Sequence, residues 1–211
     1  IEPFLGTGVV AFNSNAKKAL LSDVNPHLIN FYKRLQSKEI TPLDIQSFLY
    51  SEGEKLKNAD ENGASYYKEV RARFNTNFDS LDFLFLSRAG FNGMIRFNKN
   101  GNWNIPFCKK PERFARAYVT KIVHQAENCL HKMTLNWQFE NKDFRDIILQ
   151  ADENDFIYCD PPYAPLPQDT NFTGYAGNAF GLEHQKNLAE CAKKAQKEKQ
   201  ISVVISNHDT K

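Results

Sequence analysis

The chain has 211 residues, 41% of them hydrophobic and 25% charged, with a formal net charge of +2. That is enough apolar material for a real core, in one domain or in one domain carrying a sizeable insertion. No apolar run reaches the roughly 18 residues that a membrane-crossing helix needs, and no signal peptide is read at the start, so membrane and secreted classes are not expected. The four cysteines (Cys108, Cys129, Cys159, Cys191) are far apart, and the five histidines are scattered. No metal site is expected from them, and reduced thiols in a cytosolic protein are the expected state. The chain opens at Ile1 inside a motif and is expected to be part of a longer protein.

In chain order, residues 1–8 read as a strand end and a glycine-containing turn, followed by a short helix from Val9 to about Asn13. Ala19–Val24 is short and apolar, a buried strand ending at Asp23. Asn25-Pro26 then offers an N-cap and a proline at the first helical position. Behind it Leu28, Ile29, Tyr32 and Leu35 recur at helical spacing. Thr41-Pro42 repeats the start signal for a helix carrying Ile45, Phe48, Leu49 and Leu56, and further helices are expected over Ser65 to about Phe74, Ser80–Arg88 and 112–131. Phe83, Leu84, Phe85 and Leu86 read as core, and the aromatic pairs at 31–32 and 66–67 as packing.

Residues 89–111 differ in kind. Three glycines, five asparagines, several aromatics and basic residues mark a long loop or hairpin, and loops of that length are usually functional. A βαβ texture then returns: a strand over Leu135–Phe139, a short strand Phe156–Cys159 ending at Asp160, an amphipathic helix Leu182–Lys199, and a β-branched buried strand Ile201–Ile205 ending at Ser206-Asn207. Strands alternating with helices imply a mostly parallel α/β sheet, and the helical stretch over about 40–130 reads as an inserted domain.

Charge is unevenly distributed. Between Arg88 and Lys121 there are eight basic residues and one acid, +7 in 34 residues, so the rest of the chain carries a net −5. Such asymmetry fits either a nucleic-acid contact surface or a solvated face.

In open α/β sheets ligands sit beyond the carboxyl ends of the strands. Four groups fall there: Glu2–Gly8, Asp23, Asp160–Tyr163 and Ser206–Asn207. The spacing over Phe4, Gly6 and Gly8 is F-x-G-x-G, which serves a close ligand approach or a structural turn equally well. Asp23 can accept hydrogen bonds from both ribose hydroxyls of an adenosine, or cap the turn at Asn25-Pro26. Asp160-Pro161-Pro162-Tyr163 is more specific. Two prolines force a rigid turn. A carboxylate and a backbone carbonyl that accept both N–H bonds of an exocyclic amine draw its nitrogen toward sp³ character, and attack on a methyl sulfonium becomes feasible. An adjacent ring can stack on a flipped base. His208 reads as a strand-end hydrogen-bonding residue rather than a catalytic base.

These segments, together with Arg88–Asn98, Asn104–Phe107, Ala164-Pro165-Leu166 after the double proline, and Asp209-Thr210 after His208, occur in an order that closely resembles the DNA adenine methyltransferase (Dam) family, nearly end to end. The resemblance implies an α/β fold with a Rossmann-like S-adenosylmethionine-dependent methyltransferase sheet and an inserted, mostly helical DNA-recognition domain. The catalytic domain would take 1–39 and 132–211, and the recognition domain 40–131, with a DNA-contacting loop at 89–111. The implied activity is N6 methylation of a flipped adenine in GATC in double-stranded DNA. S-adenosylmethionine would be the donor, S-adenosylhomocysteine the product, and no metal would be needed. The implied protein is a monomer in the cytoplasm of a bacterial or phage-infected cell, associated with the nucleoid.

By position, the resemblance makes Asp160, Pro161, Pro162 and Tyr163 the catalytic loop. It gives Glu2, Pro3, Phe4, Gly6, Gly8, Asp23, Asp143, Phe144 and Asp160 to the cofactor. It makes Arg96 a guanine contact and Phe91 an aromatic inserted into the base stack, with Asn92, Met94 and Pro106 as neighbouring base contacts. Arg88, Asn98, Lys109, Lys110, Arg113 and Arg116 complete the DNA set, the last four mostly on phosphates. The family's N-terminal tryptophan–glycine–lysine segment is not among these residues. A methyltransferase acting on RNA or on a protein amide is the enzymatic rival, although the latter commonly resembles Asn-Pro-Pro-Tyr. A catalytically silent DNA-binding module and a nicotinamide dehydrogenase are the others.

Overall fold

The computed structural model describes residues 1–134, 136–163 and 180–208. Leu135, Ala164-Pro165-Leu166 and Asp209-Thr210, which belong to the strand and motifs named above, lie outside the described residues. The chain divides into two compact units, one of Ile1–Ile29 with Thr134–Lys211 and one of Asn30–Met133.

The first unit is mixed α/β. Strands β1 (Lys18–Ser22) and β2 (Asn136–Glu140) pair in parallel, with Leu21 opposite Phe139, and β3 (Phe156–Cys159) pairs in parallel with β4 (Ser202–Ile205). Ile1 and Glu2 lie between the two pairs. The Glu2 amide donates to the Leu20 carbonyl and accepts through its own carbonyl from Ser22. The Ile1 carbonyl accepts from Tyr158 and its nitrogen donates to the Phe156 carbonyl. The backbone ladder therefore runs β2, β1, residues 1–2, β3, β4. Helix α1 (Val9–Asn13) follows the N-terminal turn, and α2 (Pro26–Gln36) follows β1. Asn25 caps α2 as expected, its Oδ1 accepting from His27 and Leu28.

A five-residue helix that the pattern along the chain does not announce, α7 (Phe144–Ile148), begins at an Asp143 N-cap. Helix α8 (Leu182–Lys199) packs through Leu188 and Ala195 into the cluster that holds Ile157 and Cys159 of β3. Phe144, Ile148, Ile157, Cys159, Leu188 and Ile201 form the core here. The expectation that Ile201–Ile205 is buried throughout is corrected: Ile201 is buried, but Val204 and Ile205 are 45% and 37% exposed. A β-branched run favours extended backbone whether or not a face is covered.

The second unit is helical, with α3 (Pro42–Asn58), α4 (Ala64–Asn77), α5 (Ser80–Ala89) and α6 (Arg116–Met133). Thr41 and Asp44 close a capping box at the start of α3, and Asp79 caps α5 through Leu81 and Asp82. Its core is aromatic, with Tyr67, Phe74, Phe83, Phe85, Trp103 and Phe114 all buried. Two buried carboxylates, Glu52 and Asp82, anchor a charged cluster beside it. The Arg73 guanidinium bonds both oxygens of Asp82 and one of Glu52 (2.8 Å to Glu52), Tyr66 donates to the same Glu52 oxygen (2.7 Å), and Lys55 takes the other (2.7 Å). Burial would raise the Glu52 carboxyl, but these partners outweigh it and hold it below its ordinary value.

Between α5 and α6 the chain forms an irregular hairpin with antiparallel bridges Gly90–Phe107 and Phe97–Trp103. Its inner side is anchored. Trp103 donates its indole N–H to Tyr67, whose hydroxyl donates to the Ile105 carbonyl, and its main-chain N–H goes to Asn75. Tyr67 also stacks on Phe107 at 5.1 Å. Burial pushes the Tyr67 hydroxyl up to about 12, so it stays a neutral donor at physiological pH.

Candidate active site

In the first unit the sequence-predicted groups come together along one edge of the sheet, where residues 1–2, β1, β3 and β4 end. Gly6 and Gly8 have φ of +49° and +67°, the left-handed region that glycine alone enters at little cost. They turn the chain back so that the Gly6 amide donates to Asp23 Oδ2 at 3.0 Å. The other oxygen, Oδ1, accepts from Asn25 at 2.8 Å. Asp23 thus serves as the turn cap considered above, while each carboxylate oxygen keeps accepting capacity beyond these bonds. Burial raises its pKa against the pull of the two amides. Space above Gly6 is open: a methyl group placed there would meet nothing within 4 Å.

Glu2 is buried, and its Oε2 accepts from the Ala11 amide in the first turn of α1 at 3.0 Å. Burial pushes its pKa up to about 7; the Ala11 bond opposes this and the nearby Asp160 charge adds to it. Pro3 is buried beside it. Phe4 stacks on Phe144 with ring centroids 5.4 Å apart, and Phe180 meets both rings edge-on at 5.6 and 5.9 Å. Asp143 accepts from the Arg145 main chain at 3.0 Å and side chain at 2.6 Å. Burial alone would raise its carboxyl, but Arg145 holds it low.

The Asp160–Tyr163 loop leaves β3 with Pro161 buried and Asp160 and Tyr163 exposed. Three contacts tie it to the end of β4. Ser206 donates its amide to the Cys159 carbonyl at 2.8 Å, the Tyr163 hydroxyl and Ser206 Oγ are 2.9 Å apart, and the Tyr163 ring meets His208 edge-on at 4.6 Å. Gln185 on α8 donates to the Pro162 carbonyl at 2.8 Å and accepts from Asn207 at 2.9 Å. Neither Gln185 nor Phe180 carries a signal in the sequence. Cys159, beneath the loop, is fully buried, and burial pushes its thiol up to about 12, which leaves it inert.

A model of the D12 class of N6 adenine-specific DNA methyltransferases matches residues 1–211. The chain belongs to this family. It is 42% identical to a DNA adenine methylase of Haemophilus influenzae over 216 aligned residues, covering 100% of this chain and 71% of the relative. It is 39% identical to one of Vibrio cholerae and 36% identical to one of Escherichia coli, each with 100% of this chain and 72% of the relative covered.

For an adenine-N6 DNA methyltransferase the candidate DNA contacts matter next, and all of them lie in the second unit. Phe91 is 48% exposed at the root of the hairpin, with its amide bonded to the Pro106 carbonyl at 2.9 Å. Asn92 beside it is left-handed and exposed, Met94 is half-buried and Pro106 exposed. Lys109, Lys110 and Arg116 are exposed.

The other candidates are engaged within the protein. Arg113 Nη1 donates to the carbonyls of Arg88 and Gly90 at 3.2 and 3.3 Å, Arg88 Nε returns a bond to the Arg113 carbonyl at 3.3 Å, and the Arg88 guanidinium lies 5.2 Å from the Tyr118 ring centre. The Asn98 side chain accepts from Asn100 and Asn102 and shapes the hairpin tip. Arg96 Nη2 donates to the Asn104 carbonyl at 2.9 Å, while its Nε is buried without a hydrogen-bond partner among the described residues. Among the described residues no group of three His, Cys, Asp or Glu side chains is placed to hold a metal ion, and no helix is long and apolar enough to cross a membrane.

Proposed function

We propose that the chain transfers a methyl group from S-adenosylmethionine to N6 of an adenine flipped out of duplex DNA, in the sequence GATC. The observation that carries the reading is the exposed pair Asp160 and Tyr163 on one doubly proline-fixed loop at the sheet edge, beside the Asp23-held glycine turn. The ladder order, numbered along the chain as 3-2-1-4-5, supports a Rossmann-like sheet. The contiguous helical unit between its two chain segments is the target-recognition domain, expected over 40–131.

The residues at the edge fit the cofactor: a desolvated carboxylate, an open glycine turn and aromatic faces. Asp23 would bind the ribose hydroxyls, the Gly6–Gly8 turn would let the backbone approach, and Phe4 with Asp143 and Phe144 would line the adenine end. Glu2, Pro3 and Asp160 would lie toward the amino-acid end. When bound, this cofactor supplies a methyl group on a positively charged sulfur, already a good leaving group, so no metal ion is given a role. The Asp160 carboxylate and the Pro161 carbonyl accept the two N–H bonds of the target amine, and the Tyr163 ring stacks on the base. The protein's contribution is alignment and the exclusion of water.

On the DNA side, Phe91 fills the gap left by the flipped base, with Asn92, Met94 and Pro106 on neighbouring bases. Arg96 reads a guanine, a pairing its planar fork favours. Its unpaired Nε is a cost to the free protein that repositioning on DNA would relieve. Lys109, Lys110 and Arg116 hold phosphates; Arg88, Arg113 and Asn98 support the hairpin that presents the others. The protein acts as a monomer on cytoplasmic, nucleoid DNA. Full-length protein is expected to transfer labelled methyl from S-adenosylmethionine to a duplex containing GATC and not to its scrambled control. Transfer to RNA or protein, with none to that duplex, overturns the proposal.

A further inference from the structure

Three amides form a directed chain that ends on the catalytic loop. The His208 main-chain N–H donates to Asn207 Oδ1 at 2.9 Å, Asn207 Nδ2 donates to Gln185 Oε1 at 2.9 Å, and Gln185 Nε2 donates to the Pro162 carbonyl at 2.8 Å. The ends of the chain fix its sense. A main-chain N–H can only donate and a carbonyl can only accept, so both side-chain amides are oriented without ambiguity.

The target of this chain includes a torsion that neither proline ring fixes. Pro161 and Pro162 each have φ fixed near −65° by the ring, and neither carries an N–H with which to anchor the loop. Rotation about the Pro162 Cα–C bond then helps set the Tyr163 ring relative to the Pro161 carbonyl. A hydrogen bond to the Pro162 carbonyl stops that rotation. Ser206 already holds both ends of the loop, through the Cys159 carbonyl and the Tyr163 hydroxyl.

We infer that Gln185, oriented by Asn207, is a positioning residue for methyl transfer: it clamps the Pro162 carbonyl so that the Pro161 carbonyl and the Tyr163 ring meet the target base together. This rests on the proposed role of the Asp160–Tyr163 loop. Gln185 touches neither DNA nor cofactor in this scheme, so its loss should slow the transfer step without weakening either ligand. Misplacement of a reacting group by about an ångström costs on the order of a hundredfold in rate.

The test compares full-length wild type with Gln185→Leu and Gln185→Glu. The readouts are single-turnover methyl transfer to a GATC duplex, binding constants for that duplex and for S-adenosylmethionine, and melting temperature. Gln185→Leu is expected to lower the single-turnover rate roughly ten- to hundredfold, with both binding constants within about twofold of wild type. Glutamate adds a signature that simple loss of packing would not produce. Protonated, it can donate to Pro162 and accept from Asn207; ionised, it sets a carboxylate against a carbonyl. The rate of Gln185→Glu relative to wild type should therefore fall as pH rises through the range where that carboxyl ionises. A Gln185→Leu rate near wild type, a flat pH ratio for Gln185→Glu, or a loss shared equally by cofactor binding and melting temperature overturns the clamp. The wild-type control separates the two ideas: its activity on GATC tests the functional reading, and variants indistinguishable from an active wild type refute the clamp alone.

Discussion

The two left-handed glycines of the N-terminal turn separate stability from ligand binding. A methyl group on Gly8 would sit 2.6 Å from two carbons of the Phe12 ring. The left-handed backbone costs an alanine roughly 1–2 kcal/mol, and forcing a methyl into packed side chains costs about 1–3 kcal/mol more. Gly8→Ala is therefore expected to lose about 2–5 kcal/mol of unfolding free energy in urea titrations followed by circular dichroism. At Gly6 the same methyl meets nothing, so only the backbone cost of roughly 1–2 kcal/mol applies. That methyl does, however, occupy the space through which the cofactor would approach. Gly6→Ala should then weaken S-adenosylmethionine by about tenfold or more in calorimetric titration, or about 1.4 kcal/mol, despite being the more stable of the two variants. Wild-type cofactor affinity in Gly6→Ala would refute the idea that the ligand passes over this turn. Equal instability in both variants would remove the packing argument for Gly8.

Asp160→Ala should abolish methyl transfer in a filter assay while duplex binding in gel shift stays close to wild type; turnover that survives contradicts its assigned role. Arg96→Ala should relax discrimination at one guanine by roughly 1–3 kcal/mol in competition binding against single-base variants of GATC; an unchanged preference counts against it. Arg73→Met takes the guanidinium from Asp82, which is 2% exposed, while Glu52 keeps Lys55 and Tyr66, and should lower stability by about 3–5 kcal/mol in denaturant titration. Glu2 yields a pH dependence. Its folded pKa of about 7 lies above the ordinary 4.5, so the folded state binds the extra proton. Stability should fall as pH rises from about 4.5 to 7, by on the order of 3 kcal/mol, and level off above. Glu2→Gln should remove that slope, and an identical slope in the variant would sink the argument.

Legibility in the sequence tracked locality. Asn25-Pro26 and Thr41-Pro42 announce α2 and α3 because a cap and the amide that donates to it lie within three residues of each other. The bounds of β3 and α8 agree with the expected Phe156–Cys159 and Leu182–Lys199 for the same reason: short-range pattern suffices. Helix α7 escapes because five residues cannot display a period, although Asp143 is a cap signal that could have been used. Coverage of β4 could not be read, since Val203 and Val204 are alike in sequence and differ only in what faces them.

At the site, the sequence points to Asp23 and Asp160–Tyr163, where unusual residues sit at strand ends. It is silent on Gln185, an ordinary polar residue of an amphipathic helix until the fold brings it to Pro162, 23 positions away. It likewise cannot tell an arginine that faces a ligand from one such as Arg113, which is occupied by the carbonyls of Arg88 and Gly90.

The ladder through Ile1 and Glu2 also orders the birth of the molecule. Residue 1 bonds to residues 156 and 158, a separation of 155 positions for its closest pairing, and contacts of that span are slow to form. During synthesis the Asn30–Met133 unit is complete by residue 133, whereas residues 1 and 2 must wait, half-paired with β1, until β3 emerges. Closing the sheet is thus the step that unites the Asp23 turn with the Asp160 loop. A nascent chain acquires its helical unit before it can complete this sheet edge.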